Sequence, residues 1–401
     1  MKKTTLFIYI SIPIIALAIS GIFIWFQMHH ATSATPQTPH VSLDQSITTL
    51  EQRLKREPEN VAVGIALTDG YLQKVRETGD VSFYNKIDVV LAELEKKSAG
   101  ESQIMAKRAE VANGRHDFRK GLEYITAAIQ KDPEIAAYYG IKSDSELELG
   151  LYDEAEAALQ KMIDHKPNFS SYTRVAYQRE LYGDTQGALE ALATAISAGS
   201  IHPENVAWAY VESGKLRFKD DKTGAAEDFN RALKLYPDYA PALEGLGRVA
   251  YDQGKKEDAR AYYTRAFTAL PIATYAIQLG DFYAMEGETK KAQQQYELAD
   301  QAYQNTKGTN IDLEYSLFLS DHGDKEEALK RAEAAYHARP SILAADAYAW
   351  ALFKNNRITE AEQHSIEAMR LGGYNLTLLL HAAAIAKAQG KTAEAAVHLS
   401  K

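Results

Sequence analysis

Between residues 240 and 272 the chain reads APALEGLGRVAYDQGKKEDARAYYTRAFTALPI, and its apolar positions fall into two helical stripes around a polar turn at 252–256. Leu243, Leu246, Val249 and Ala250 share one face of the first predicted helix, and Gly247 is small enough to admit a neighbouring helix. Ala259, Tyr263 and Ala266 follow at i, i+4 and i+7 on the second, and Pro271 stops it. One such hairpin cannot bury both of its apolar faces, so the pattern demands neighbours of the same kind.

The neighbours are present in register. Thirty-four residues before Ala259, Tyr263, Ala266 and Pro271 stand Ala225, Phe229, Ala232 and Pro237. Thirty-three residues after Leu246, Gly247, Gly254, Ala259, Tyr263 and Ala266 stand Leu279, Gly280, Gly287, Ala292, Tyr296 and Ala299. The second-helix triplet recurs as Gly121, Ile125, Ala128; as Ala155, Leu159, Met162; and as Ala188, Leu192, Ala195. It returns near the end as Ala328, Ala332, Ala335 and as Ala361, Ser365, Ala368. Units are predicted to begin near Asn60, Ser102, Ala136, Phe169, Val206, Ala240, Ala273, Thr309, Ile342 and Leu376, with closing prolines at Pro133, Pro167, Pro237, Pro271 and Pro340. A single helix at 43–57, with Ile47, Leu50 and Leu54 on one stripe, precedes them.

This order of small, large and small residues at a period of about 34 resembles the tetratricopeptide repeat. The resemblance implies an all-α, TPR-type α-solenoid over 43–401, with about nine repeats plus a truncated last one. Several phrases are also similar to a widespread group of bacterial tetratricopeptide-repeat proteins of undefined role. They are Gly114-Arg115-His116-Asp117-Phe118, Arg179-Glu180-Leu181-Tyr182-Gly183-Asp184, the run from Ala345 through Trp350 to Leu352, and Leu378-Leu379-Leu380-His381-Ala382-Ala383. In such arrays the ninth and twelfth positions of the first helix face a concave groove that holds a peptide or a partner helix. Carried onto this chain, those positions are Tyr177 and Glu180, Lys215 and Phe218, Arg248 and Tyr251, Asp281, and Trp350 and Phe353. Aromatic residues mixed with both signs of charge suit a protein-binding groove. The Lys/Asn carboxylate clamp of chaperone-binding members is absent from these positions.

Ahead of the array, Lys2 and Lys3 precede an uncharged apolar run at 6–26, long enough to span a bilayer as one helix. The expected order is a short cytoplasmic N-terminus (1–5), a transmembrane signal anchor (6–26), a flexible linker (27–42) and the solenoid (43–401). The lysines lie before the run and no basic residue follows until Arg53, which places the solenoid on the extracytoplasmic side of the cytoplasmic membrane. The alternative is secretion after cleavage near Ala34. His29, His30 and His40 fall in a linker rich in Ser, Thr and Pro without acidic partners, and read as polar spacer rather than metal ligands.

Composition narrows the partner. The net charge of −9 argues against a general nucleic-acid binder. With no cysteine there is neither a disulfide nor a thiolate metal site. No nucleophile elbow, zinc-protease motif or phosphate loop is present, so no cofactor, metal or catalytic role is assigned. Asp321-His322-Gly323-Asp324 reads as a turn, Asp220-Asp221 and Glu326-Glu327 as solvated helix ends, and His381 as a hydrogen-bonded core histidine. The last unit turns at Gly390-Lys391 and stops about two helical turns later. Leu378, Leu379, Ile385 and Val397 are thus expected to be only partly shielded, leaving an end that frays or meets a partner or a second copy. The expected function is a non-enzymatic, membrane-anchored scaffold for protein–protein interaction. The alternatives are a cell-wall or carbohydrate-binding module, and an accessory subunit that positions a separate enzyme.

Overall fold

The computed structural model describes residues 42–373 and 375–400. The proposed anchor at 6–26 and the histidines of the linker lie outside the described residues. Among the described residues no helix is long and apolar enough to cross a membrane. The chain divides into a unit ending at Thr48 and a unit from Thr49 to Lys401, and every helical hairpin belongs to the second.

A lone helix, α1 (Leu43–Arg56), runs across that division. Ten hairpins come after it among the described residues, which contain no strand. They are α2/α3 (Val61–Thr78, Phe83–Lys97), α4/α5 (Ser102–Gly114, Phe118–Lys131), α6/α7 (Ala136–Glu148, Tyr152–His165), α8/α9 (Phe169–Leu181, Thr185–Ala198) and α10/α11 (Pro203–Arg217, Lys222–Leu235). The second half comprises α12/α13 (Ala240–Asp252, Lys256–Ala269), α14/α15 (Ala273–Met285, Thr289–Asn305), α16/α17 (Asp312–His322, Lys325–Ala338), α18/α19 (Ile342–Lys354, Ile358–Ala368) and α20/α21 (Leu376–Ala388, Thr392–Ser400).

Local chemistry sets these boundaries. Asp117, Asp184, Asp221 and Asp324 cap second helices by accepting backbone N–H groups of the first turn. Gly254 closes its hairpin at φ 74°, in the left-handed region, and His116 takes the same conformation at φ 59° in the second hairpin. Each closing proline stands two residues beyond the end of its second helix, where the missing N–H forbids another turn.

Two expected starts shift. The fifth hairpin begins at Pro203, not Val206, because proline at the first helical position is already set for the helix and has no N–H to lose. The eighth begins at Asp312, not Thr309, because Asn310 is drawn out of the helix. Its N–H donates to the Arg115 carbonyl (2.9 Å), and its side chain accepts the N–H of Asp312 (3.0 Å). The C-terminal expectation also needs correction. Leu378, Leu379 and Ile385 are buried, whereas Val397 and Leu399 are 54% and 63% exposed. Helix α21 is long enough to cover the inner face of α20 through Ala395, and the exposure is confined to α21 and to Leu376 and Leu380 of α20.

The core follows the small-large-small register. Ala225, Ala232, Ala259 and Ala266 are no more than 1% exposed, and Phe229 and Tyr263 lie between them. Phe229 is the clearest case. Its ring sits so close to Gly214 of its own hairpin and Gly245 of the next that a Cβ on either would come within 2.6 Å of it. Gly280 faces Tyr296 in the same way, at 2.6 Å, and Gly247 faces Tyr263 less tightly, at 3.1 Å, so a glycine opposite an aromatic ring recurs along the middle of the array.

The array also coils back onto itself. Arg119 of the second hairpin donates to the carbonyls of His337 and Ala338 in the eighth, at 3.2 and 3.1 Å. The N–H of Ile342 donates to the Tyr152 hydroxyl (2.8 Å), joining the ninth hairpin to the third. Arg339, only 4% exposed, bridges Glu148 (3.3 Å) and Glu314 (3.1 Å). Nearer the start, Gln73 of the first hairpin donates to Glu204 of the fifth (3.2 Å), whose other oxygen accepts from the Tyr239 hydroxyl (2.6 Å).

Candidate functional site

The first helices of successive hairpins carry a ladder of charge pairs, two of which cross between repeats while the others lie along one helix. Lys107 on α4 reaches Asp69 on α2 (2.6 Å) and Glu110 on its own helix (2.7 Å). Arg174 on α8 holds Asp144 on α6 with two hydrogen bonds, at 2.8 and 2.5 Å. Lys215 on α10 binds Glu212 (2.9 Å), and Arg248 on α12 lies 3.8 Å from Glu244 and 4.8 Å over the Phe218 ring. Each of these rungs is a base held by carboxylates, an arrangement that fixes long side chains in one geometry.

Five of the nine groove residues named from sequence, Tyr177, Glu180, Lys215, Phe218 and Arg248, belong to this ladder. Glu180 has more acid than base around it. Burial first, and then the nearby Glu212, push its carboxyl up to about 7, with Lys215 pulling the other way. Burial likewise raises Glu244, against the pull of Arg248 and Lys215. Tyr177 is 37% exposed, and its hydroxyl is pushed up by burial and by Glu148 and Glu180. Lys215 loses hydration there, but Glu212, Glu244 and Glu180 outweigh that loss and hold it protonated.

The pH consequence has a definite sign. Folded Glu180 keeps its proton up to about pH 7, whereas the unfolded chain releases it near the ordinary value of 4.5. Its contribution to stability is therefore complete below pH 4.5 and is lost as pH rises through 7. Glu180→Gln is expected to flatten the fall in melting temperature between pH 5 and pH 8 and to be the more stable protein at pH 8. Parallel unfolding curves for variant and parent across that window would remove Glu180 from the account.

The other four named residues are engaged elsewhere. Tyr251 sets its ring edge-on against Phe282, 5.9 Å away. Asp281 accepts from the Tyr296 hydroxyl (2.8 Å) and lies 3.5 Å from His322, which itself stacks on Tyr296 at 3.9 Å. Trp350 stacks on His381 (3.9 Å, 9°) and on Phe353 (5.1 Å), and donates its indole N–H to Asp321 (3.0 Å). His381 is the hydrogen-bonded, buried histidine expected, with Nδ1 2.9 Å from Asp346.

Sequence reasoning passed over Glu212 and Glu244, which stand three and four residues before Lys215 and Arg248, a spacing that signals helical ion pairs. It also read Asp321-His322-Gly323-Asp324 wholly as a turn. Asp324 does cap α17, but Asp321 and His322 lie in the last turn of α16, where they meet Trp350 and Asp281. Among the described residues no group of three His, Asp or Glu side chains is arranged to hold a metal ion.

Comparison with known proteins agrees with this architecture. The profile of the tetratricopeptide repeat matches residues 107–168, 216–273 and 245–305. Protein O-mannosyl-transferase TMTC1 of Mus musculus is 27% identical over 128 residues, which amount to 31% of this chain and 13% of that protein. The chain thus spans a small fraction of that relative. Among solved structures, the human IFIT1 dimer with PPP-AAAA is similar at a TM-score of 0.50, covering 81% of this chain and 77% of that one at 12% identity. PilW, a type IV pilus biogenesis factor, gives 0.42 with 17% identity, covering 52% of this chain and 96% of its own. Residues 107–168 and 216–305 thus match the tetratricopeptide repeat by profile, and the hairpins on either side of them keep the same all-helical, TPR-like arrangement.

Proposed function

We propose that this protein is a non-enzymatic scaffold that holds an extended peptide or a helix of a partner protein against the ladder from Tyr177 to Arg248. A membrane anchor at 6–26 would keep it at the extracytoplasmic face of the cytoplasmic membrane. The observation that carries the reading is the ladder itself. Across α8, α10 and α12 it sets an accessible tyrosine, an arginine on a phenylalanine and a carboxylate short of a cation within one stripe. Such groups recognise peptide backbone and side chains of either charge. Glu180, Glu212 and Glu244 outnumber Lys215 and Arg248 along that stripe, which disfavours a phosphate backbone.

The test is capture of the partner by the solubilised full-length protein. Tyr177→Ala and Arg248→Ala are expected to weaken capture by about 2 kcal/mol each while leaving the unfolding transition in place. Trp350→Ala is expected instead to lower stability, since its ring is already spent on His381 and its N–H on Asp321. Undiminished capture by folded Tyr177→Ala and Arg248→Ala would return the ladder to a purely structural role. For the topology, a reporter active only outside the cytoplasm, fused after Lys401, should give signal; a silent fusion would reverse the orientation.

A further inference from the structure

Helix α15 is longer than the other second helices, and the late start of α16 leaves an open groove between it and the eighth hairpin. Two contiguous cavities of about 440 and 660 Å³ occupy it and share Gln304 and Tyr315 as common wall. Their floor is an unbroken chain of rings. Tyr303 stacks on Tyr315 (4.9 Å), Tyr315 meets Phe318 (6.2 Å), Phe318 meets His322 (5.5 Å), and His322 stacks on Tyr296 (3.9 Å). Among the described residues the walls of the first cavity contribute Glu297, Asp300, Asp324 and Glu327 and not one lysine or arginine.

We propose that this groove is a second interaction surface, distinct from the ladder, and that it takes an arginine-containing segment of a partner protein. The second cavity displays the chemistry within the chain itself. The Arg331 guanidinium lies 4.7 Å over the Tyr315 ring and pairs with Asp312 at 2.9 Å. A guanidinium gains from an aromatic face and from a carboxylate at once, which an ammonium does less well. The first cavity repeats the carboxylates, whereas its rings are closed against one another, so a guanidinium entering there is held by charge and hydrogen bonds rather than by stacking. Its Glu327 is taken by Arg331 from the second cavity (2.8 Å), whereas the other carboxylates are met by neutral groups. Glu297 is exposed and its hydrogen bond comes from the neutral Gln293 (3.2 Å); Asp300 accepts from the neutral Tyr315 and Gln304.

The same groove is a poor glycan platform. Sugar stacking needs a flat ring face open to solvent. Here Tyr315 and Phe318 are only 6% and 5% exposed, and Tyr303 and Tyr315, like Tyr296 and His322, spend faces on each other.

The experiment uses the full-length protein, a capped hexa-arginine peptide and two charge reversals of equal size. Glu297→Lys changes the groove, whereas Glu257→Lys changes an exposed position on α13 outside it. Glu297→Lys is expected to weaken peptide binding roughly tenfold at physiological salt, and Glu257→Lys by less than about twofold. Bound peptide is expected to slow hydrogen exchange in 293–304 and 315–327. Equal losses in both variants would mean attraction to the net charge alone and would overturn the assignment. So would protection confined to 177–248, or binding of the neutral hexasaccharide chitohexaose in the groove with the peptide left free. Partner capture through Tyr177 stands or fails separately, since neither reversal touches the ladder.

Discussion

Truncating Phe229 to alanine is expected to cost about 3–5 kcal/mol, the range for emptying the space of a fully buried aromatic ring. The ring is 1% exposed and packs with Val211, Leu246 and Val249, so its loss opens the contact between the fifth and sixth hairpins. The glycines that face it cannot close the gap, having no side chain to move. In a solenoid each repeat is stabilised mainly by its neighbours, so a weak interface in the middle divides the array. Calorimetry of Phe229→Ala should show a lower and broader transition, with fast hydrogen exchange spreading into α10–α13. The reciprocal change, Gly245→Ala, should also destabilise, by about 1–3 kcal/mol, because a Cβ there meets the ring. If both variants unfold at the parent temperature, the glycine–aromatic register does not carry the stack.

That register is readable because packing imposes it locally. A position facing a neighbouring helix across a few ångströms must be small, and one filling the gap between hairpins must be large, so Ala225, Phe229 and Ala232 repeat as Ala259, Tyr263 and Ala266. The hairpins starting at Ser102, Ala136, Phe169, Ala240, Ala273, Ile342 and Leu376 follow directly from it. The starts at Pro203 and Asp312 do not, because both sit behind irregular connections whose course depends on capping and, at Asn310, on a contact with Arg115 far away in sequence. The groove is legible to the same extent. Position within the repeat finds Tyr177, Lys215 and Arg248, but it carries no information on whether a ring such as Trp350 is free or already stacked on a histidine thirty-one residues later. Nor does any periodic signal mark the contacts between successive turns of the coil, which join loop residues such as Arg339 and Asn310 to helix residues such as Arg119, Tyr152 and Glu314 at positions that need not repeat.

Those contacts converge on Arg339, and removing its charge is the second change expected to have a large effect. The guanidinium is nearly inaccessible, lies 5.5 Å over the Phe118 ring, and joins Glu148 of the third hairpin to Glu314 of the eighth. Around it, His116 Nδ1 lies 2.7 Å from the Asn310 carbonyl, Arg119 caps the end of α17, and Gly150 leaves room for Pro340 where a Cβ would collide with its carbonyl. Burial already raises the Glu148 carboxyl, and Arg339 is the largest opposing influence. Arg339→Met keeps the bulk and strands Glu148 and Glu314, so the expected cost is about 3–5 kcal/mol, as for breaking a buried ion pair from one side. Because the residues so joined lie on different turns of the coil, the loss should appear in shape as well as in stability. Since the chain has no cysteine, spin labels at Glu123→Cys and Glu333→Cys can report it; their separation should widen and broaden in Arg339→Met. Adding Glu148→Gln and Glu314→Gln removes the stranded charges and should restore much of the stability but not the narrow distance distribution. An unchanged distribution in Arg339→Met would mean that the neighbouring backbone contacts hold the coil closed without it.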